Sequence, residues 1–277
     1  MIELGKWQTL SVVRSKEFGV YLNEKGGAEE AILLPRKQVP EDTKAGDELR
    51  VFVYKDSEDR LIATMMEPYI TLGELAILKV VSTSTIGAFM DWGLAKDILL
   101  PFKEQMGKVE EGKSYLVKMY IDKSSRLCVT MKVYEDLLCD STYAKDDNFT
   151  GVVIDYKEEL GAFIAVDNKY SGLIPQKELF KKLFIGDKVE GRITNVREDG
   201  KLDLSIRRPA YMQMDEDSQI VYKKIESYRG ELPFTDKTDP ETIKSELGLS
   251  KAAFKRAVGK LLKEKKIEIT DKSIKII

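Results

Sequence analysis

The chain repeats five signposts three times at nearly constant spacing. A glycine stands two residues before an aromatic in Gly19-Val20-Tyr21, Gly87-Ala88-Phe89 and Gly161-Ala162-Phe163. An aliphatic-proline pair follows at Leu34-Pro35, Leu100-Pro101 and Ile174-Pro175. Next comes a glycine before a charged residue that opens a strand, at Gly46-Asp47, Gly112-Lys113 and Gly186-Asp187. A basic-leucine pair and then a small hydroxyl residue close each copy: Arg60-Leu61 with Thr64, Arg126-Leu127 with Thr130, Lys201-Leu202 with Ser205. The proline-to-glycine offset is 11 in every copy, and the first-glycine-to-proline offset is 14, 14 and, in the first copy, 16. Self-similarity of this kind implies an array of like units rather than one large core.

With 277 residues, length alone suggests about two domains. The repeats argue for four parts: 1–70, 71–147, 148–209 and a tail at 210–277. Repeats of this size can fold alone but bury modest cores. The net charge of −2 is unevenly spread, and residues 248–277 carry nine basic against three acidic side chains. Nucleic-acid affinity would therefore come from local patches and stacking, not from a basic field over the whole chain. The start of the chain lacks the pattern of a signal peptide, and no apolar run approaches the ~20 residues needed to span a bilayer. A cytoplasmic monomer with no membrane partner is expected. Two cysteines without metal-ligand spacing indicate neither a disulfide framework nor a zinc site. The absence of histidine removes the commonest general base and metal ligand. No catalytic residue, metal or cofactor is expected, and the chain is not read as an enzyme.

The third copy shows the architecture of one unit. Phe149–Ile154 reads as a β-branched strand, Gly161–Val166 as a second, and Ser171–Ile174 as a short third after the turn Asp167-Asn168-Lys169. Gln176–Leu183 has helical spacing for a turn or two. Asp187–Val196 and Leu202–Ile206 alternate as two more strands around Arg197-Glu198-Asp199-Gly200. Five strands with a short helical connection after the third predict a small OB-type barrel, with Gly19, Gly87 and Gly161 at the bend of strand two.

These residues resemble the S1-type RNA-binding domain, an OB-fold variant, most closely in the third copy. The resemblance implies one binding face with aromatics around the strand-two glycine and an Asp and Arg on the last turn. Copy one carries this set as Phe18, Tyr21, Asp56 and Arg60. Copy two keeps Phe89, Asp122 and Arg126 but has Ile86 at the first aromatic position; copy three keeps Phe163, with Lys201 at the Arg position and Leu160 and Arg197 at the others. Where that family has His at the end of strand three, all three copies have proline. Two readings stand for Tyr21, Phe89 and Phe163, base stacking or barrel packing. Two stand for Arg60, Arg126 and Lys201 as well, phosphate contact or plain solvation. Cys128 reads as core, and Trp7 and Trp92 as barrel-edge packing, with Trp92 the better candidate for an exposed stacker because Gly93 follows it. Residues 134–147 read as a linker or short helix.

In the tail the period changes from two to about 3.6. A helix begins near Asp217 with Ile220, Ile225 and Tyr228, and ends at Gly230 and Pro233. Asp239-Pro240 opens a second helix, with Ile243 and Leu247 on one face and Gly248 at its end. Ser250 caps a third helix carrying Phe254, Val258, Leu261 and Leu262. Residues 266–270 and 273–277 alternate as two strands, so the tail predicts a winged helix-turn-helix. Arg256, Lys260 and Lys263 fall opposite the apolar face, as candidates for nucleic-acid contact. Lys266, with Lys265, Lys272 and Lys275, adds charge near the hairpin.

Three S1-like barrels followed by a winged helix resemble the bacterial conserved virulence factor B family. The resemblance implies a cytoplasmic RNA-binding protein that regulates gene expression after transcription, with single-stranded RNA crossing several weak faces. The alternative is a protein-interaction scaffold, associated with the ribosome or with transcription, whose barrels no longer bind RNA.

Overall fold

A computed structural model describes all residues except 1, 28–30, 180–181 and 208–209, together with all side chains outside these and residues 210–215. The chain is mainly β, with three closed five-stranded barrels and a C-terminal α+β part. The first barrel comprises β1 (Trp7–Lys16), β2 (Gly19–Asn23), β3 (Ile32–Pro35), β4 (Glu48–Lys55) and β5 (Leu61–Thr64). The second comprises β6 (Leu75–Thr83), β7 (Gly87–Asp91), β8 (Ile98–Pro101), β9 (Ser114–Ile121) and β10 (Leu127–Thr130). The third comprises β11 (Asn148–Lys157), β12 (Gly161–Val166), β13 (Tyr170–Pro175), β14 (Lys188–Val196) and β15 (Leu202–Ser205). Each closes by pairing its third strand parallel to its fifth.

The repeated glycines, prolines and hydroxyls each have a structural task. Gly19, Gly87 and Gly161 pair in register with Pro35, Pro101 and Pro175. A Cβ on any of these glycines would overlap the carbonyl oxygen of Leu34, Leu100 or Ile174, so only glycine admits the close approach at the strand-two bend. The prolines then start single 3-10 turns at Arg36–Gln38, Phe102–Glu104 and Gln176–Glu178. Within Gln176–Leu183, where a turn or two is expected, the described residues hold one such turn at Gln176–Glu178, and Phe180 and Lys181 lie outside them. The hydroxyls of Thr64, Thr130 and Ser205 donate to the last side chain of each turn, Gln38, Glu104 and Glu178, at 2.7, 2.9 and 2.8 Å. Gly46, Gly112 and Gly186 hold left-handed φ values of 94°, 80° and 92°. Their N–H groups donate to Val12, Val80 and Val153, where the first strand of each barrel bulges. The loop and the bulge thus fasten each other.

The barrels do not stand apart, because Met1–Ile206 form one compact unit. In β4, Val51 and Val53 face the first barrel's core, while Phe52 between them is buried against the second barrel. Trp92 receives Phe52 and Tyr54 edge-on, each at 6.0 Å. Its indole N–H donates to the Lys96 carbonyl at 2.5 Å. Trp92 is only 3 % exposed, so its barrel-edge packing reading holds, as the keystone between two barrels, and the exposed stacker suggested by Gly93 does not. Trp7 packs on Phe52 as expected, and Cys128 is buried as expected but lies outside the barrel's core cluster, on the outward row of β10. On the other side, Leu116 of β9 and Val152 and Ile154 of β11 share a cluster with Val133 and Leu137. Strands with both faces buried lose the alternation of a half-exposed strand.

Arg207–Ile277 form the second unit. Its elements are α1 (Ala210–Ser227), β16 (Glu231–Leu232), α2 (Pro240–Leu247), α3 (Lys251–Lys263), β17 (Ile267–Ile269) and β18 (Ile274–Ile276). Asp239 and Ser250 accept from the Thr242 and Ala253 N–H groups as N-caps, and Gly248 ends α2 with φ 69°. Three features depart from expectation. Helix α1 starts at Ala210 rather than near Asp217. It buries Val221 and Ile225 and leaves Ile220 and Tyr228 exposed. The terminal hairpin gains a third strand, since β16 pairs with β18.

Candidate nucleic-acid interface

Strand alternation decides the strand-two aromatics. Val20 and Leu22, Ala88 and Met90, Ala162 and Ile164 point into the barrels, so Tyr21, Phe89 and Phe163 point out. Each begins a row across three strands: Tyr21, Leu33 and Ile62; Phe89, Leu99 and Cys128; Phe163, Leu173 and Asp203. What surrounds each row differs.

In the first barrel, Arg14 of β1 pairs with Tyr21 across the bulge and places its guanidinium 4.6 Å from the ring centroid; the Lys16 ammonium is at 5.7 Å. Both lie within cation–π range and remain exposed. Phe18 sits at the hairpin tip, where its carbonyl accepts the Arg36 N–H at 2.9 Å and its side chain is 72 % exposed. Asp56 closes the β4–β5 turn by accepting the Glu58 and Arg60 N–H groups at 2.9 and 3.0 Å. It also takes the Arg60 guanidinium at 2.9 and 2.7 Å. Burial alone would raise the Asp56 carboxyl, but the Arg60 and Glu58 hydrogen bonds outweigh it and hold it below the usual range. Arg60 further pairs with Glu58 at 2.7 Å. Arg60 is paired within the turn, while Arg14 and Lys16 lie over the aromatic ring.

In the second barrel, Phe89, Asp122 and Arg126 come together in a cleft of about 340 Å³. The first barrel's Tyr54, Lys55, Ser57 and Asp59 form its opposite wall. Asp122 is a turn residue like Asp56: burial would raise it, but the Arg126 and Ser124 N–H groups and the Ser124 hydroxyl lower it. Arg126 reaches across to an ion pair with Asp59 of the first barrel. Ile86, 59 % exposed, occupies the tip held by Phe18 in the first barrel. Phe102, just past Pro101, donates its N–H to the Ile86 carbonyl and is 57 % exposed. Sequence reasoning missed Phe102, whose only signal was its place after the repeated proline. Arg14 and Lys16 were also missed, because their role depends on the register opposite Tyr21.

In the third barrel the face is covered. Tyr134 stands edge-on to Phe163 at 5.3 Å, and the Lys201 ammonium lies over Tyr134 at 5.8 Å while pairing with Asp199 at 3.4 Å. Arg197, at the family's Asp position, donates to Asp203 through Nε at 2.8 Å and through its terminal nitrogen at 2.5 Å. Leu138 bridges Tyr170, and a Cβ at Gly200 would overlap the Cys139 carbonyl. The segment read as a linker is therefore docked onto barrel three, after one 3-10 turn at Tyr134–Asp136.

On α3, Phe254, Ala257, Val258 and Leu261 are buried, leaving Lys255, Arg256 and Lys263 exposed around Gly259. Two expectations are corrected here. Leu262 is 45 % exposed rather than part of the packed face. Lys260 lies on the flank towards α1, half-buried and paired with Glu264 at 3.6 Å, not opposite the core. Lys266 also pairs with Glu264, at 2.8 Å. Among the described residues no group of His, Cys, Asp and Glu is placed to hold a metal ion, and no helix is long and apolar enough to cross a membrane.

Comparison with known proteins gives a consistent pattern. The S1 domain model matches residues 4–66 and 72–132. The model for the second domain of virulence regulatory factor CvfB matches 139–208, and the CvfB-like winged helix domain matches 219–276. The chain is 30 % identical to the YitL protein of Bacillus subtilis, over 95 % of this chain and 90 % of that one. It is 31 % identical to conserved virulence factor B of Staphylococcus aureus, over 88 % of this chain and 85 % of that one. A Streptococcus pneumoniae crystal structure, described as a multidomain protein with nucleic acid binding domains, shares the fold. Its TM-score is 0.57 at 22 % identity, covering 99 % of this chain and 98 % of that one.

Proposed function

We propose that this chain, which belongs to the conserved virulence factor B family, binds single-stranded RNA and regulates gene expression after transcription. The observation that carries the reading is the first barrel's face. There an outward Tyr21 lies under Arg14 and Lys16, with an exposed Phe18 beside it. An aromatic platform ringed by cations suits a strand whose bases stack while its phosphates are neutralised. The Phe89 face of barrel two offers a further aromatic, and the exposed Lys255, Arg256 and Lys263 of α3 supply a tethered second contact. Each contact is weak alone, and tethering raises the effective concentration for the next. The division at 1–70, 71–147, 148–209 and 210–277 belongs to this reading, as do a cytoplasmic location, a monomeric state and the lack of catalysis. For barrel three, the docked Tyr134 covers Phe163, so that barrel packs the array and is not read as an RNA face.

The test is an anisotropy titration with labelled single-stranded RNA, duplex RNA and duplex DNA. Single-stranded RNA is expected to bind tightest, with log K falling linearly against log salt. Phe18→Ala/Tyr21→Ala and Arg256→Glu/Lys263→Glu are each expected to weaken it. No binding at low salt, or parental binding by both variants, refutes the reading.

A further inference from the structure

The cleft between the first two barrels combines groups that neither barrel has alone. Its floor is the outward row of Phe89, Leu99 and Cys128, an aromatic ring beside two apolar neighbours. Burial pushes the Cys128 thiol up to about 11, so the floor stays uncharged at neutral pH. Lys55 from one barrel and Arg126 from the other bring positive charge to the same space. The Trp92–Lys96 hydrogen bond fixes the loop before β8, and Lys96 donates to the Asp56 carbonyl at 3.2 Å. The next residue, Asp97, lines the cleft, and its carboxylate has no hydrogen bond or ion pair with any described residue. By contrast Asp122 is engaged by its turn and Asp59 by Arg126. The volume of about 340 Å³ falls within the roughly 300–1,000 Å³ of small-ligand sites.

We propose that this inter-barrel cleft reads one nucleobase of the bound strand, and that the base is guanine. The inference rests on the RNA reading above. The base stacks on Phe89, and Asp97 accepts from its edge. Guanine alone among the four bases presents two adjacent N–H donors there, at N1 and the 2-amino group, which match the two oxygens of a carboxylate. Adenine and cytosine offer one amino donor beside a ring-nitrogen acceptor that the carboxylate repels. Uracil offers one N–H between two carbonyls. The adjoining phosphate takes Arg126 in exchange for Asp59.

The experiment compares an all-uracil RNA strand with the same strand carrying one central guanine, adenine or cytosine, using the full chain and its Asp97→Asn variant. A well-formed bidentate contact discriminates by about 5- to 150-fold, so the guanine strand should bind the parent tighter than all-uracil by a factor in that range. Asp97→Asn should abolish the preference, so that within that variant the guanine strand binds no tighter than all-uracil. If the all-uracil strand binds but guanine confers no advantage, or the preference survives in Asp97→Asn, the base-reading inference falls while the RNA reading stands. If no strand binds, both fall.

Discussion

If the first barrel's face binds RNA as proposed, one salt titration should separate two kinds of binding energy there. Arg14 and Lys16 lie 4.6 and 5.7 Å from the Tyr21 centroid and are exposed, so a phosphate near a stacked base can meet both. For single strands each neutralised phosphate contributes roughly −0.7 to the slope of log K against log salt. Arg14→Gln/Lys16→Gln should therefore make the slope shallower by about 1.4. Over a fourfold rise in salt, the parent should lose about sevenfold more affinity than the double variant. Tyr21→Ala removes stacking worth roughly 1–3 kcal/mol per base, a fall of about 5- to 150-fold at every salt concentration, with the slope nearly unchanged. Anisotropy at four or more salt concentrations measures both quantities, and matching melting curves keep folding out of the comparison. The reasoning fails if the double variant keeps the parental slope, or if Tyr21→Ala changes the slope and not the affinity.

Other outcomes follow from the same contacts. Asp59→Ala releases Arg126 from an exposed ion pair worth roughly 0.2–1 kcal/mol, so single-stranded RNA should bind up to about fivefold tighter at low salt. Gly87→Ala forces a Cβ onto the Leu100 carbonyl at φ 155° and should cost roughly 3 kcal/mol, near the upper end for point variants, read from urea midpoints. Asp56 and Asp122 titrate below the ordinary value in the fold. Their stabilisation is therefore present above about pH 4 and is lost as pH falls through the lower folded value. Asp122→Asn should narrow the gap between urea midpoints at about pH 7 and pH 3. Tyr134→Ala deletes an edge-on ring contact worth about 0.5–1.5 kcal/mol beyond its burial. It should lower the melting temperature without weakening RNA binding, because Phe163 is read as packing.

The repeat spacing determined the architecture. Gly19 faces Pro35, Gly87 faces Pro101 and Gly161 faces Pro175, and no other residue fits that backbone approach, so the pattern is a direct imprint of the barrel. The caps at Asp239 and Ser250 were equally legible, since a helix end depends on residues three or four apart. Strand alternation already contained the outward direction of Tyr21, Phe89 and Phe163, but which of them is open to a ligand depends on what docks beside it. Sequence left Trp92 between barrel-edge packing and an exposed stacker, and the neighbouring barrel's Phe52 and Tyr54 settle it as packing. Lys260 lay opposite the core on an ideal wheel, and α1 packs close enough to claim it. Arg60 and Arg126 share a repeat position, but one answers its own turn and the other the next barrel. Local sequence specifies the strand, the cap and the turn, because their partners lie close along the chain. Only the tertiary structure decides which aromatic stays bare, which arginine is engaged and where two barrels leave a cleft, because those partners come from distant parts of the chain.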